Sequence, residues 1–410
     1  MRGLGAPNVF PPAPPSQRPR FLVSDTLASS ARSAPVHLRP QSVAVVLGTR
    51  PEIVKLAPII KALGDAVFLI HTGQHFDEDM SDVFLAQHDL PDPAVWLSAG
   101  GRSRSGQLAH ILEGLDRVFA ERTFEAVVVQ GDTNSTLAGA LAANAHDIPI
   151  VHVEAGLRSF DRAMPEEHNR VLTDHLSALL CAATPGNVEN LLCESIPADR
   201  ILLTGNTVVE STLAELPTPM TQLDILDEFG LRPHEYVLAT IHRPENTDDP
   251  ATLEAILAEL GDVPVPVVIP LHPRTAAAAR HAGFGDLLNR LRVIAPQPSG
   301  QFLSLAANAA VLISDSGGLQ EECTVLKRPL VVVRRSTERP ESFHDFATAV
   351  APGPEIGVEV RRLLNDHVRV SASLRTIPSP FGDRHAASHI LAGIHSLVAQ
   401  SHPQMTGARS

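Results

Sequence analysis

Two carboxylates, Asp132 and Glu154, closely follow neighbouring apolar runs at residues 126–130 and 148–153 that are typical of buried strands. Ligands of open parallel sheets bind beyond the carboxyl ends of the strands, so both side chains are expected to point into one cleft. Carboxylates in such a place can act as general acids or bases. Asp132 is equally suited to cap the helix that follows it, whereas Glu154, within His-Val-Glu-Ala-Gly, has no helix to cap.

Glu166 is a third acidic candidate, in the segment Met164-Pro165-Glu166-Glu167. Proline in the first turn of a helix, followed by acids, satisfies the helix dipole without any further role. From its own residues alone, the segment therefore predicts a structural glutamate more than a catalytic one.

A Gly-Thr turn at residues 48–52 follows the first apolar run and opens a helix that carries Arg50 and Lys55. Backbone N–H groups at a helix N-terminus, together with two cations, favour an anion. An ordinary tight turn with surface cations explains the same residues. Because the turn lacks GxGxxG, we do not expect a dinucleotide.

The segment Ser316-Gly317-Gly318 follows the apolar run 310–314 and starts another helix. Without a Cβ in the way, a phosphate can approach the backbone N–H groups of such a turn. Glu322, one turn further along, can accept hydrogen bonds from the two hydroxyls of a ribose. The alternative for this glutamate is a solvated helix face.

Two histidines, His242 and His272, stand just after the apolar runs 236–240 and 264–271. Each could equally be a buried, hydrogen-bonded imidazole. No HExxH pattern is present, and cations with helix termini can hold a diphosphate unaided. We therefore expect no metal.

Composition limits the class of protein. The 410 residues predict two domains, and 44% hydrophobic with only 4% aromatic residues suits aliphatic cores of parallel strands covered by helices. A net charge of −13 disfavours nucleic acid as a partner. No run of about 18 apolar residues occurs, so we expect no membrane insertion. Cys181, Cys193 and Cys323 form no CxxC pair, which excludes a disulfide scaffold and favours the cytoplasm.

Apolar runs alternate with helical periods from residue 41 onward, which predicts an α/β fold of two doubly wound, Rossmann-like domains facing across a cleft. The predicted strands are residues 43–47, 67–70, 126–130, 148–153, 179–183, 201–204, 236–240, 264–271, 292–295, 310–314 and 329–333. We place the first domain at 41–206 and the second at 207–380. Residues 1–40 contain eight prolines and five arginines. The arginines suggest a transit peptide, but the prolines forbid its long amphipathic helix. We therefore predict that this segment is a disordered tail or results from a start codon set too far upstream. Residues 401–410 are expected to be a second tail.

Nine short motifs, in order along residues 43–395, together resemble the non-hydrolysing UDP-N-acetylglucosamine 2-epimerase family. They are residues 48–52, 72–75, 131–133, 152–158, 165–167, 204–207, 242–246, 315–318 and 337–341. The resemblance implies a two-domain, glycosyltransferase-B-like fold. It also implies a last helix, here 381–400, that returns to the first domain.

The resemblance implies roles for individual residues. The catalytic set would be Asp132, Glu154, Glu166 and His242, and UDP would be held by Arg50, Lys55, Ser316, Gly317, Gly318, Glu322 and Arg339. We also expect Gln74 and His272 among the substrate-binding residues. The implied reaction inverts C2 of the sugar by removing the C2 proton and expelling UDP to give a glycal, to which UDP re-adds after protonation on the other face. It needs no cofactor, and a homodimer is expected.

Three alternatives stay open: a hydrolysing relative that releases UDP and N-acetylmannosamine, a 2-epimerase for a modified UDP-amino sugar such as a diacetamido uronic acid, and a non-catalytic sugar-nucleotide sensor. The sequence departs from the family at Gly382-Asp383-Arg384 and at 342–346. It also has Asp77 where some bacterial members place a second glutamine for activation by substrate. An acid near a diphosphate disfavours binding, so we expect hyperbolic kinetics.

Overall fold

The structure is a computed structural model, and it describes residues 37–74, 85–334 and 337–401. These described residues belong to one compact unit. Two parallel sheets, of seven and six strands, organise the described part of the chain.

The first sheet has the strand order β3-β2-β1-β4-β5-β6-β7. Its strands are β1 (Val43–Leu47), β2 (Val67–His71), β3 (Val95–Trp96), β4 (Ala126–Gln130), β5 (Ile150–Ala155), β6 (Leu179–Ala182) and β7 (Ile201–Leu203). All residues of β1 and β4 are buried, as expected for central strands covered on both faces. The order reverses between β1 and β4, and such a switch point is where ligands of doubly wound sheets bind.

The second sheet repeats this order as β10-β9-β8-β11-β12-β13. Its strands are β8 (Val237–Thr240), β9 (Val267–Pro270), β10 (Arg292–Ile294), β11 (Val311–Ser314), β12 (Leu330–Val333) and β13 (Ala347–Val350). Val237 and Ala239 pack into one apolar cluster and Leu238 into another. Both faces of the sheet are therefore covered, and its switch point lies between β8 and β11.

Helices connect the strands of both sheets. They are α1 (Arg50–Leu63), α2 (Arg104–Glu121), α3 (Asn134–Ala145), α4 (Pro165–Leu176), α5 (Pro185–Cys193), α6 (Val208–Glu215), α7 (Pro219–Glu228), α8 (Pro244–Thr247), α9 (Pro250–Gly261), α10 (Pro273–Ala282), α11 (Gly285–Leu288), α12 (Ser299–Asn308), α13 (Gly317–Leu326), α14 (Pro354–Asn365), α15 (His367–Thr376) and α16 (Ala386–Ser401). Many begin with proline in the first turn, where its missing N–H has no partner to lose. The predicted α/β class with two doubly wound sheets is confirmed.

Several strand predictions need correction. Two edge strands, β3 and β13, carry no apolar run: β3 has only two residues, and the two middle residues of β13 are exposed. The prediction 264–271 was too long because Pro264 and Pro266 have no N–H for a ladder, and pairing starts at Val267. The prediction 148–153 ended too early, since β5 continues through Glu154 to Ala155.

The C-terminal helix α16 packs against α1 and β6 of the first sheet. Near its start, the Ala387 N–H donates to Glu210 at 2.8 Å, and the His389 ring lies 3.1 Å from the Thr204 carbonyl oxygen. The predicted domain boundaries stay predictions. Of the predicted tails, residues 1–36 and 402–410 lie outside the described residues, whereas Arg39 pairs with Glu125 at 2.8 Å.

Among the helices that the structure describes, none combines the length and the apolar character needed to cross a bilayer.

Candidate active site

The candidate residues lie after the strands at the two switch points. In the first sheet, β1 leads into α1, which carries Arg50 and Lys55, and β4 leads into Asp132. In the second sheet, β8 leads into His242 and β11 into the start of α13 at Gly317. The cleft is the space between the strand ends of the first sheet and those of the second.

Glu154 lies in a β-bulge, where the pairing of β5 with β6 shifts register between Val153 and Ala155. Its backbone φ of 69° is in the left-handed region, which a non-glycine residue adopts only under constraint. The bulge sends the side chain out of the strand alternation. The carboxylate is buried and accepts hydrogen bonds from Lys55 Nζ at 2.6 Å and from the Gln130 amide.

Glu154 stays ionised although it is buried. Burial alone would raise its pKa, but Lys55 and Arg339 outweigh burial and lower the pKa to about 2. Arg339 Nη2 lies 3.6 Å from the carboxylate. This glutamate is therefore a fixed negative charge at neutral pH.

Glu321 extends this cluster across the cleft. Lys55 Nζ lies 2.9 Å from Glu321 Oε2, and Arg339 Nε lies 2.7 Å from Glu321 Oε1. The Asn206 amide donates to both Glu154 and Glu321 at 3.2 Å. Two cations and two carboxylates thus form one buried network that joins α1 and β5 of the first sheet to α13 of the second.

Asp132 is held by Arg170 of α4, whose Nη2 and Nε lie 2.6 and 2.9 Å from Asp132 Oδ2. The Asp132 side chain keeps 30% of its exposure. Its neighbour Gly131 is close to Glu154, because a Cβ built on that glycine would lie 3.5 Å from Glu154 Oε2. The structure therefore brings the loop of Asp132 next to Glu154, as the strand order predicts.

Glu166 and Glu167 differ in burial. Glu166, the predicted residue, is exposed at the first turn of α4. Glu167 is buried and accepts from the backbone N–H groups of Ser159 at 3.0 Å and Phe160 at 2.9 Å. Glu167 thus shapes the loop before α4, which leaves Glu166 as the solvent-facing acid of the pair.

His242 and His272 lie together, with their ring centroids 5.4 Å apart. His242 Nδ1 is 3.0 Å from Asp315 Oδ1, and its side chain is 38% exposed. His272 caps α10, since its Nδ1 accepts from the Arg274 N–H at 3.2 Å. Burial and the neighbouring His242 lower the pKa of His272. His242 is therefore the histidine that pairs with the buried carboxylate of Asp315.

At the start of α13, there is space for a side chain at Gly318 but not at Gly317. A Cβ on Gly318 would meet nothing nearer than 3.8 Å, whereas a Cβ on Gly317 would lie 2.7 Å from Arg339 Nη1. Glu322 is half-buried one turn along, and burial, then Glu321, raises its pKa to about 7. The Ser316 N–H donates to Ser314 Oγ at 2.9 Å, and the N-terminus of α13 at Gly317 and Gly318 remains suited to an anion.

Arg50 and Gln74 occupy the first-sheet side. Arg50 is exposed in the first turn of α1. The Gln74 side-chain oxygen accepts from Ser135 N–H and Oγ, each at 2.9 Å. That oxygen is therefore engaged at the start of α3, which supports the loop after β4.

Sequence reasoning missed several buried residues of the site. Glu52, within the 48–52 motif, accepts from the Gly48 N–H at 2.9 Å and from the hydroxyls of Thr49 at 2.9 Å and Thr133 at 2.7 Å. No cation faces it in these contacts, and burial raises its pKa to about 7. The other missed residues are Gln130, Arg170, Asn206, Asp315 and Glu321. Adjacency to a predicted residue was a signal for Glu321 and Asp315, and Asn206 lies within the motif at 204–207.

Within the part of the chain that the structure describes, no three His, Cys, Asp or Glu side chains are grouped so as to hold a metal ion. Asp77 lies outside the described residues.

Known proteins match both the sequence and the fold. Residues 61–395 match the family model described as UDP-N-acetylglucosamine 2-epimerase. The UDP-N-acetylglucosamine 2-epimerase of Methanococcus maripaludis is 38% identical over 359 residues, which cover 85% of this chain and 97% of that protein. A UDP-2,3-diacetamido-2,3-dideoxy-D-glucuronate 2-epimerase of Pseudomonas aeruginosa is 36% identical over 302 residues, covering 72% and 83%.

The crystal structure of Methanocaldococcus jannaschii UDP-GlcNAc 2-epimerase in complex with UDP-GlcNAc and UDP superposes with a TM-score of 0.73. Its sequence is 36% identical, and the match covers 86% of this chain and 99% of that one. The chain therefore belongs to the UDP-N-acetylglucosamine 2-epimerase family.

Proposed function

We propose that the protein interconverts UDP-N-acetylglucosamine and UDP-N-acetylmannosamine by removing the C2 proton, eliminating UDP to a glycal, and re-adding UDP. The observation that carries the proposal is the similarity, over most of the chain, to an epimerase solved with UDP-GlcNAc and UDP bound. The paired switch points support it: Asp132 follows β4 in the first sheet, and His242 and the start of α13 follow β8 and β11 in the second.

The second sheet provides the nucleotide side. The N–H groups at the start of α13 suit a diphosphate. Arg339 pairs with Glu321 and Glu338, so its proposed contact with UDP rests on the family resemblance. Glu322 accepts from the ribose hydroxyls. His242, whose Nδ1 lies 3.0 Å from Asp315 Oδ1, would in its protonated form stabilise the negative charge that grows on UDP as the C1–O bond breaks.

The first sheet provides the sugar side. Departure of UDP gives the ring oxocarbenium character, and a carboxylate that remains ionised stabilises that positive charge. Glu154, with a pKa of about 2, is suited to this role and is a weak base. Asp132 and Glu166, which are both more exposed than Glu154, are then the acid and base on the two faces of C2.

The test is incubation with UDP-N-acetylglucosamine in D2O, followed by proton NMR. We expect UDP-N-acetylmannosamine to form and deuterium to enter C2 of both epimers. The Asp132→Asn variant is the matched control, since it should bind UDP with little exchange. Tight binding of UDP by the wild-type protein without any exchange at C2 would instead identify a sensor, and accumulation of free N-acetylmannosamine would identify a hydrolysing enzyme.

A second candidate substrate is a UDP-diacetamido uronic acid. It is favoured by the 36% identity to the Pseudomonas aeruginosa enzyme that is named for such a sugar. The same assay with that substrate decides between the two. Activity on the UDP-diacetamido uronic acid, with none on UDP-N-acetylglucosamine, would make the uronic acid the substrate.

Three further expectations, on kinetics, oligomeric state and location, are proposed and are tested separately. Because Asp77 replaces a glutamine, the forward reaction should be hyperbolic and the reverse reaction should run without a lag; a lag abolished by a trace of UDP-N-acetylglucosamine would contradict this. A homodimer predicts twice the chain mass of 43.8 kDa by light scattering. A cytoplasmic location predicts recovery in the soluble fraction of lysed cells.

A further inference from the structure

Arg170 is a buried arginine that contacts one of the proposed acid/base groups. Its side chain is 3% exposed. Burial would lower its pKa, but Asp132 and Glu338 raise it, so the guanidinium remains charged. It is the third residue after Glu167 on the same face of α4.

Arg170 donates hydrogen bonds to only one of the two carboxylate oxygens of Asp132. Both donors, Nε at 2.9 Å and Nη2 at 2.6 Å, reach Oδ2. Arg170 therefore fixes the rotamer of Asp132 and leaves Oδ1 to other partners. The Asn169 amide adds to this by donating to the Asp132 backbone carbonyl at 2.8 Å.

The third donor of Arg170 ties Asp132 to the loop before α4. Nη1 donates to Glu167 Oε2 at 2.6 Å. The Glu167 carboxylate in turn accepts from Ser159 Oγ at 2.9 Å and from the N–H of Phe160 at 2.9 Å. One guanidinium thus connects the loop after β4, the loop after β5 and the first turn of α4, where Glu166 lies.

We propose that Arg170 is a positioning residue: it holds Oδ2 of Asp132 so that Oδ1 faces the substrate, and it keeps Asp132 and the first turn of α4 in one rigid frame. The inference rests on the proposed function, in which Asp132 and Glu166 serve the two faces of C2. Inversion needs both groups at hydrogen-bond distance from their protons, and small misplacements reduce rates steeply. In this proposal Arg170 acts through Asp132 and Glu167, to which it donates its hydrogen bonds.

The first test is Arg170→Lys, which keeps the buried charge but cannot make all three hydrogen bonds. We expect kcat to fall by about 10-fold or more, while KM and the affinity for UDP change less than about 3-fold. The matched control is Arg328→Lys, because Arg328 is a buried arginine just before β12 whose Nη1 lies 3.1 Å from His234 Nδ1. It should leave kcat unchanged. An equal loss of kcat in both variants would show that replacing any buried arginine impairs the enzyme, and it would overturn the proposal.

The second test is a double-mutant cycle with Asp132→Asn. If Arg170 acts through Asp132, adding Arg170→Lys to Asp132→Asn should lower kcat by less than about 2-fold further, because residues of one unit are not additive. Full multiplication of the two effects would overturn the proposal. Inactivity of the folded wild-type protein on both UDP-sugars would instead refute the proposed function, so the two failures are distinguishable.

Discussion

Replacing Glu154 with glutamine tests the buried network directly. The carboxylate accepts from Lys55 Nζ on Oε1 and from the Gln130 amide on Oε2. A glutamine of the same shape must turn its NH2 group toward one of these donors. The variant therefore loses a charge and also places two donors against each other in a buried site.

The size of the effect follows from the pKa of Glu154. A carboxylate whose pKa falls from 4.5 to about 2 on folding stabilises the folded protein at neutral pH by about 3 kcal/mol. Removing one partner of a buried ion pair costs about 3–5 kcal/mol, which agrees. Because the folded-state pKa is the lower one, this stabilisation is complete above pH 4.5 and is lost as pH falls toward 2.

The measurement is thermal unfolding of Glu154→Gln beside Glu166→Gln at pH 7. The first variant should unfold about 6 °C or more below the wild type, taking about 2 °C per kcal/mol for a large cooperative unit. The second removes the same charge from an exposed residue and should change Tm by no more than about 2 °C. Both should lower kcat. Equal Tm values for the two variants would refute the assignment of Glu154 to a buried, ionised network.

Three other predictions concern catalysis, the nucleotide turn and pH. Asp132→Asn should lower kcat by at least about 10²-fold in the NMR assay; near-full activity would remove it from the site. Gly317→Ala should lower Tm because its Cβ would lie 2.7 Å from a guanidinium nitrogen, whereas Gly318→Ala, with 3.8 Å of clearance, should keep Tm and weaken UDP binding by calorimetry. Equal Tm losses would contradict this difference. Burial and Arg328 lower the pKa of His234, so on acidification this histidine is protonated in the unfolded chain before it is protonated in the folded one. The free energy of unfolding should therefore fall as pH drops through about 6.5. His234→Asn should reduce that pH dependence of the unfolding midpoint, and an unchanged dependence would rule out this histidine as its cause.

Local patterns in the chain were enough to predict the α/β class, most of the strands and the strand ends that bound the cleft. Val43–Leu47 and Ala126–Gln130 were predicted with their observed bounds because a buried parallel strand is a short apolar run that ends in a turn. The edge strands Val95–Trp96 and Ala347–Val350 were missed. An edge strand is formed by pairing with its neighbour, and its own residues need not be apolar.

The partners of the buried charges could not be predicted from the chain, because they come from segments far apart in sequence. Lys55 was predicted as a UDP ligand, and only its ion pairs with β5 and α13 in the folded chain show that Glu154 and Glu321 share it. A buried charge needs a partner of opposite charge. The segment that supplies this partner is set by the fold, and no local sequence pattern predicts it. The same holds for Asp132: its position after β4 follows from strand periodicity, but the arginine that orients it depends on how α4 packs beside that loop.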